Sequence, residues 1–188
     1  MRIVIFAGGA GRRLWPISRQ SSPKQFEPIV GEESTLQLAV ERVAPHYGYH
    51  NVFIATNERY VDIVRRQLPD VPPANIFTEP VRRDLGPAVG LAMAQMARTG
   101  EEEPVAILWS DNYIGNVLAF VELLRAAETL VRRGDADILF IGETPRFANE
   151  NLGWIGLGEF AGRVVDIPYY GFRSLVYRPA LDECRRMF

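Results

Sequence analysis

Apolar positions along the chain fall into two patterns, short uninterrupted runs and longer stretches with apolar residues three and four positions apart. The short runs are rich in β-branched and aromatic residues, which is typical of buried parallel strands. They lie at residues 2–7, 51–55, 75–77, 105–109 and 138–141. The longer stretches have the period of amphipathic helices. They lie at residues 35–44, 61–68, 87–97, 120–131 and 179–188.

The order of these segments predicts the fold class. Ser34 and Asn57 precede two of the helical segments and are residue types that cap helices. Strands and helices alternate at the spacing of parallel strands joined by right-handed crossovers. We therefore expect an α/β fold with a mixed, mostly parallel sheet flanked by helices. Ligands of such sheets bind beyond the carboxyl ends of the strands, so the residues that follow each strand are the candidates for function.

Composition narrows the range of functions. The formal net charge of −2 gives no basic field for a nucleic acid or an anionic membrane. No apolar run approaches the roughly 18 residues of a membrane span. The single cysteine, Cys184, excludes an intramolecular disulfide framework and is typical of a reducing compartment, so we expect a cytoplasmic protein. Of 21 basic side chains, 20 are arginine and one is lysine, at Lys24.

A glycine-rich segment follows the first strand and reads G-G-A-G-R-R-L-W-P-I-S-R-Q-S-S-P-K-Q-F, residues 8–26. Gly8, Gly9 and Gly11 lack Cβ atoms, so backbone N–H groups there can approach phosphate oxygens. Arg13 and Lys24 add positive charge. A P-loop needs a lysine directly after its last glycine, and a dinucleotide-binding loop needs a third glycine at a spacing that this chain does not have. A simple turn after a strand remains open as an alternative.

The same segment resembles the signature of the sugar-1-phosphate nucleotidyltransferases, G-G-x-G-x-R-L-x-P-[L/I]-[ST]-x-x-x-P-K. The spellings L-W-P-x-S-R and P-K-Q-F are similar to those of the mannose-1-phosphate guanylyltransferase branch. The resemblance implies a Rossmann-like domain of the GT-A type. It also implies that the glycines wrap the nucleotide phosphates and contact the base. Arg13 would hold the leaving pyrophosphate, and Lys24 would reach the phosphates around the reacting centre.

The segment after the third strand, T-E-P-V-R-R-D-L-G-P-A, resembles the family's base-binding segment E-P-x-x-R-N-T-A-P-A. The resemblance implies that Glu79 reads guanine, because a carboxylate can accept hydrogen bonds from N1–H and N2–H together. It also places Gly86 among the nucleotide-binding residues. Asp84 and Leu85 depart from the family's usual residues. A helix entry bounded by prolines, with an exposed Glu79, is the alternative.

Two further segments resemble the family. The W-S-D-N-Y-I segment implies that Asp111 is a Mg²⁺ ligand, a role that suits a hard carboxylate oxygen at the end of a strand. Asn112 stands where the family has histidine. The N-L-G-W-I-G-L-G-E segment implies that Gly153 presents its backbone to the sugar. An ordinary glycine-rich hairpin is an equally good interpretation of the second segment.

The resemblance covers residues 1–159, and the family's later sugar-binding segments and its second metal-binding Asp are not spelled in this chain. We therefore interpret residues 1–188 as a single nucleotidyltransferase domain that lacks part of the sugar-binding region. The missing stretch is expected between about residues 165 and 170. Two alternatives remain, a true deletion and a segment of a longer protein that this sequence does not include.

The function that the resemblance implies is transfer of GMP from GTP to mannose 1-phosphate, which gives GDP-mannose and pyrophosphate. Arg13, Lys24 and Asp111 would be catalytic, with Mg²⁺ as cofactor. The expected partners are GTP and mannose 1-phosphate, with neither nucleic acid nor membrane, and a homodimer is left open. Two alternatives remain, a transferase for another sugar 1-phosphate or nucleotide, and a non-catalytic regulatory protein that binds nucleotide sugars.

Overall fold

The strands of the central sheet match the predicted alternation. A computed structural model describes residues 1–9, 23–29, 31–81, 84–98, 100 and 102–188. The described residues form two units, Met1–Val121 and Glu122–Phe188. The first unit contains a four-stranded sheet in the order β3-β2-β1-β4, in which every pairing is parallel. Its strands are β1 (Arg2–Phe6), β2 (Val52–Asn57), β3 (Ile76–Glu79) and β4 (Val105–Trp109).

Helices connect these strands. They are α1 (Thr35–Glu41), α2 (Ala44–Tyr47), α3 (Val61–Gln67), α4 (Leu85–Ala97) and α5 (Val117–Arg133), with short 3-10 turns at Lys24–Phe26, Tyr49–Asn51, Glu58–Tyr60 and Pro73–Asn75. Both predicted caps are confirmed. The Ser34 side chain accepts from the backbone N–H of Gln37, and Gln37 returns the bond in a capping box. Asn57 caps the 3-10 turn that leads into α3.

The core of the sheet explains why the first strands are uninterrupted apolar runs. Every residue of β1 and β2 is buried, as expected for central parallel strands covered on both faces. On one face, Val4 and Phe6 of β1 pack with Phe53 of β2 against Ala92 and Met96 of α4. Burial of each larger side chain contributes about 1.5–3 kcal/mol. The carboxyl end of β1 is thus fixed in position by the core beneath it.

The second unit is built on an antiparallel hairpin. Its strands are β5 (Gly153–Val164) and β6 (Ile167–Tyr177), joined at a two-residue turn, and helix α6 (Leu181–Met187) follows. A small cluster of Ala126, Leu130 and Val164 is buried in this unit, with Leu139, Ile167 and Tyr169 packed against it. The predicted C-terminal helix is confirmed. In the described part of the chain, no helix is long and apolar enough to cross a membrane.

The predicted strand at residues 138–141 is wrong. This segment has no strand structure, and no described strand pairs with it. Its side chains diverge, because Leu139 packs against the small buried cluster while Ile138 is 76% exposed. Phe140 stacks on Phe172 of β6 with ring centroids 5.4 Å apart. The run has the composition of a strand but lacks the hydrogen-bonded neighbour that would make it one.

Candidate functional site

The carboxyl edge of the parallel sheet brings together polar residues that are far apart in sequence. Beyond the end of β1, the backbone N–H of Ala7 still donates to Ala55 O at 2.8 Å, and that of Ser110 donates to Phe6 O at 3.2 Å. The ends of β1, β2 and β4 are therefore level. Residues that follow these strands lie side by side, as expected for the ligand-binding edge of an open parallel sheet.

Gln25 fixes the start of the glycine-rich loop. Its side-chain Nε2 donates to both Ala7 O and Gly9 O at 2.9 Å, and the residue is only 1% exposed. Thr56 Oγ1 also donates to Ala7 O, at 3.0 Å. These bonds satisfy carbonyls that leave the sheet ladder, and a buried carbonyl without a partner would be costly. Since Lys24 precedes Gln25 directly, the same bonds hold Lys24 beside the end of β1.

Lys24 and Asp111 meet at this edge. Lys24 Nζ contacts Asp111 Oδ2 in an ion pair between the 3-10 turn Lys24–Phe26 and the turn after β4. The two side chains are 26% and 40% exposed. An ion pair this open to water contributes little to stability. Both charges are accessible, so a ligand that arrives at the edge can exchange contacts with either of them.

The turn that carries Asp111 has a second anchor. Arg42, at the end of α1, donates from Nη2 to Asn112 O at 2.8 Å, and its guanidinium lies 5.8 Å from the centre of the Phe120 ring. Burial lowers the pKa of Arg42 from its ordinary value, because desolvation disfavours the charged form.

Glu79 lies against the first glycine of the loop. A Cβ atom added at Gly8 would be 2.9 Å from Glu79 Oε1, so the carboxylate of β3 reaches across the end of β2 to the backbone of β1. Asn57 supports this arrangement by donating from Nδ2 to Glu79 O at 3.1 Å. By contrast, a Cβ at Gly9 would meet no described atom within 4 Å. Among the described residues, nothing therefore occupies the space that a side chain at Gly9 would take.

The predicted site residues are distributed unevenly. The structure brings five of them to the carboxyl edge, namely Gly8, Gly9, Lys24, Glu79 and Asp111. Gly86 is exposed in the first turn of α4, and Gly153 begins β5 in the second unit. Gly11 and Arg13 lie outside the described residues. The roles assigned to all of these residues remain predictions.

The carboxyl edge of the sheet suits a metal ion that is held mainly by phosphate oxygens of a bound ligand and less by protein side chains. Among the described residues, no group of three or more His, Cys, Asp or Glu side chains is arranged to hold a metal ion. Mg²⁺ does not require such a group, because it keeps water ligands and binds phosphate oxygens with only one or two carboxylates from the protein. The half-exposed Asp111 carboxylate at a strand end has the chemistry for that kind of site.

Sequence reasoning missed the residues that support these groups. Gln25 stands within the P-K-Q-F spelling next to Lys24, a signal that was visible but carried no role. Arg42 gave no signal, since an arginine at the end of an amphipathic helix is typical of a solvent-exposed position. The structure instead buries Arg42 and joins it to a turn 70 residues away.

Comparison with known proteins gives consistent matches. The family model described as nucleotidyl transferase matches residues 2–167. The xanthan biosynthesis protein XanB of Xanthomonas campestris pv. campestris is 34% identical over 85% of this chain and 34% of its own length. The mannose-1-phosphate guanylyltransferase RfbM of Salmonella typhimurium is 33% identical over 98% of this chain and 38% of its own length.

A solved structure agrees with these relatives. It is described as a mannose-1-phosphate geranyltransferase from Thermus thermophilus. It matches with a TM-score of 0.84 and 27% identity, over 98% of this chain and 52% of that one. The chain thus spans little more than a third of the length of the curated relatives that it matches. The family model covers most of the 188 residues, and so the chain belongs to the nucleotidyl transferase family.

Proposed function

We propose that this chain is a mannose-1-phosphate guanylyltransferase, which transfers GMP from GTP to mannose 1-phosphate and releases pyrophosphate. The observation that carries the proposal is the meeting of Lys24 with Asp111 at the edge of the sheet where Gly8 and Gly9 follow β1. The names of the relatives support the choice of guanine nucleotide and of sugar. As part of the same proposal, Mg²⁺ is the cofactor and the cytoplasm is the compartment.

The reaction needs positioning and charge neutralisation more than covalent chemistry. A phosphate oxygen of mannose 1-phosphate attacks the α-phosphorus of GTP, and the bond to the bridging oxygen breaks as pyrophosphate leaves with the electron pair. The negative charge on the phosphates must be offset throughout. Lys24 supplies a mobile ammonium at the edge of the sheet, and Asp111 would hold Mg²⁺, which neutralises phosphate charge when bound. Arg13 is assigned to the leaving pyrophosphate through the family resemblance.

The guanine preference is assigned to Glu79. Its carboxylate lies against Gly8, at the edge where the nucleotide is proposed to bind. A carboxylate accepts hydrogen bonds, and guanine presents the N1–H and N2–H donors side by side. Adenine lacks that pair of donors. Gly86, in the first turn of α4, belongs to the same proposed base-binding segment.

The extent of the domain is also a proposal. We take residues 1–188 as one nucleotidyltransferase domain that lacks a stretch of the sugar-binding region near residues 165–170. The supporting observation is the hairpin turn between β5 and β6, where Val165 has a φ of 54°. A β-branched residue rarely adopts that conformation, which glycine or asparagine usually provides. A short connection at this point is what loss of a longer segment would leave.

The test is an assay of pyrophosphate release from a panel of nucleoside triphosphates and sugar 1-phosphates, with the Asp111→Asn variant as control. The proposal expects release with GTP and mannose 1-phosphate, and a fall of about 10²–10³-fold in the variant, the usual loss for a group that stabilises transition-state charge. Release with a different pair would support the alternative substrate assignment, which the departures at Asp84 and Asn112 favour. Binding of GTP or GDP-mannose without any release would instead indicate a regulatory protein.

A further inference from the structure

The turn between β4 and α5 is fixed on both sides of Asp111. On one side, the backbone N–H of Ser110 donates to Phe6 O at 3.2 Å and ties the turn to β1. On the other side, Asn112 O accepts from Arg42 Nη2 at 2.8 Å. Asp111 is the single residue between these anchors. Tyr113, the residue after Asn112, is 73% exposed, so packing of its side chain gives the turn little support.

Anchoring the turn with a buried arginine, Arg42, costs free energy. The residue is only 7% exposed, and burying a guanidinium costs free energy unless its N–H groups are satisfied. Burial also lowers the pKa of Arg42, because desolvation disfavours the charged guanidinium. The hydrogen bond to Asn112 O and the face of the Phe120 ring offset part of that cost. A hydrophobic residue would fill the same space without the desolvation penalty.

We propose that Arg42 is a positioning residue, which holds the turn after β4 so that the Asp111 carboxylate meets Lys24 at the carboxyl edge of the sheet. The importance of that position for catalysis rests on the proposed function, because there Asp111 faces the nucleotide phosphates. Whether Arg42 holds the Asp111 carboxylate beside Lys24 does not depend on that function. Without the bond from Arg42, the bond from Ser110 is the one of these two described anchors that remains, and the Asp111 carboxylate can then leave Lys24 more easily.

A matched control separates positioning from ordinary structural support. Arg2 is also 7% exposed, and its guanidinium lies 5.6 Å from the centre of the Phe53 ring. It stands at the amino end of β1, the opposite end of the strand from the site. Arg42→Met and Arg2→Met each replace a buried guanidinium with an apolar side chain. We expect both to keep a melting temperature close to that of the wild type, because each also removes the desolvation penalty of a buried guanidinium, and only Arg42→Met to disturb Asp111.

The lone lysine provides a readout that needs neither nucleotide nor metal. Reductive methylation with ¹³C-formaldehyde labels Lys24 and the N-terminal amine, because the chain has no other lysine. The methyl signal of Lys24 in NMR spectra reports whether a carboxylate is in contact with it. We expect the Asp111→Asn variant to shift this signal, Arg42→Met to shift it in the same direction, and Arg2→Met to leave it at the wild-type position. Turnover should fall at least tenfold in Arg42→Met and less than twofold in Arg2→Met.

The outcomes are distinct. An Arg42→Met signal at the wild-type position, with Asp111→Asn shifted, would overturn the proposal, as would equal shifts in Arg42→Met and Arg2→Met. If Arg42→Met does not fold, Arg42→Leu takes its place, since leucine also lacks an N–H donor for Asn112 O. The same expected shift then supports the proposal, and its absence overturns it. If wild-type protein releases no pyrophosphate, the proposed function fails, while the NMR comparison still decides whether Arg42 positions Asp111.

Discussion

Glycines are concentrated in two regions of this protein, and the structure indicates a different reason for glycine in each region. In the β5–β6 hairpin the neighbouring strand leaves no room for a side chain at Gly158 or Gly162. A Cβ at Gly158 would lie 2.9 Å from the backbone oxygen of Gly171. Gly162 has a φ of 150°, and its Cβ would lie 2.9 Å from the Tyr169 hydroxyl oxygen. At the carboxyl edge of the parallel sheet, a Cβ at Gly9 would meet no described atom within 4 Å.

This difference separates glycines that the fold requires from a glycine that the described fold does not require. At Gly158 and Gly162, protein atoms occupy the space that a side chain would need, so glycine there serves packing. No described atom occupies that space at Gly9, whose carbonyl accepts from Gln25 Nε2 at the carboxyl edge of the sheet. Substitutions at Gly158 or Gly162 should therefore reduce stability and leave chemistry intact. A substitution at Gly9 should leave stability unchanged and impair chemistry.

The largest effect is expected for Lys24→Arg at the sheet edge. The substitution keeps the charge but replaces a compact ammonium with a planar guanidinium, which cannot follow a moving phosphate in the same way. We expect turnover to fall by about 10²-fold, near the low end of the loss for removing a charge-stabilising donor. The melting temperature should change little, since the ion pair with Asp111 is half-exposed. Pyrophosphate release and thermal unfolding measure the two effects. Turnover equal to wild type would remove Lys24 from the proposed chemistry.

The sheet and the residues at its edge were predictable from the sequence. The runs that became β1 and β2 are apolar without interruption because central parallel strands are buried on both faces. Once the strands are known, the carboxyl ends of neighbouring parallel strands must meet at one edge. The expectation that Lys24, Glu79 and Asp111 belong to one region followed from this rule and from the family resemblance.

The supporting contacts could not be predicted in the same way. The bonds from Gln25 to Ala7 and from Arg42 to Asn112 join residues 18 and 70 positions apart. Local patterns hold no information on where a long polar side chain will point. The predicted strand at residues 138–141 was wrong for a related reason, since a strand depends on a hydrogen-bonded neighbour that only the tertiary structure supplies. Arg13 and Gly11 lie outside the described residues, so their predicted roles are still predictions.

Gly158→Ala tests the hairpin side of the comparison. The added methyl group would lie within 3.3 Å of three backbone atoms of Gly171, and a backbone cannot move aside as a flexible side chain can. We expect the free energy of unfolding to fall by about 1–3 kcal/mol, the usual cost of inserting a group into a packed site. Turnover per folded molecule should stay within twofold of wild type. Chemical denaturation measures the first quantity. An unchanged unfolding curve would show that close packing does not explain this glycine.

Gly9→Ala tests the opposite region with the same chemical change. Because no described atom lies within 4 Å of the added Cβ, the free energy of unfolding should stay within about 0.5 kcal/mol of wild type. A methyl group in the space assigned to the nucleotide phosphates should raise the KM for GTP by about tenfold, equivalent to about 1.4 kcal/mol. Steady-state kinetics at saturating mannose 1-phosphate measure this change. If KM is unchanged while the protein loses stability, the open space at Gly9 has no role in binding.

Gly153→Ala is expected to have the smallest effect on stability and kinetics. It tests whether Gly153 is needed for packing of the hairpin or for binding of the sugar. Gly153 stands at the start of β5, where an added Cβ would be 3.5 Å from Leu175 Cδ1 and 3.7 Å from Tyr177 Cδ2, both ordinary contact distances. Unlike Gly158→Ala, it should therefore change the free energy of unfolding by less than about 0.5 kcal/mol. If the Gly153 backbone lies against the sugar, the KM for mannose 1-phosphate should rise severalfold while the KM for GTP stays constant. If the variant keeps the wild-type KM for each substrate, the sugar-binding role is contradicted, because the hairpin itself leaves room for the methyl group at Gly153.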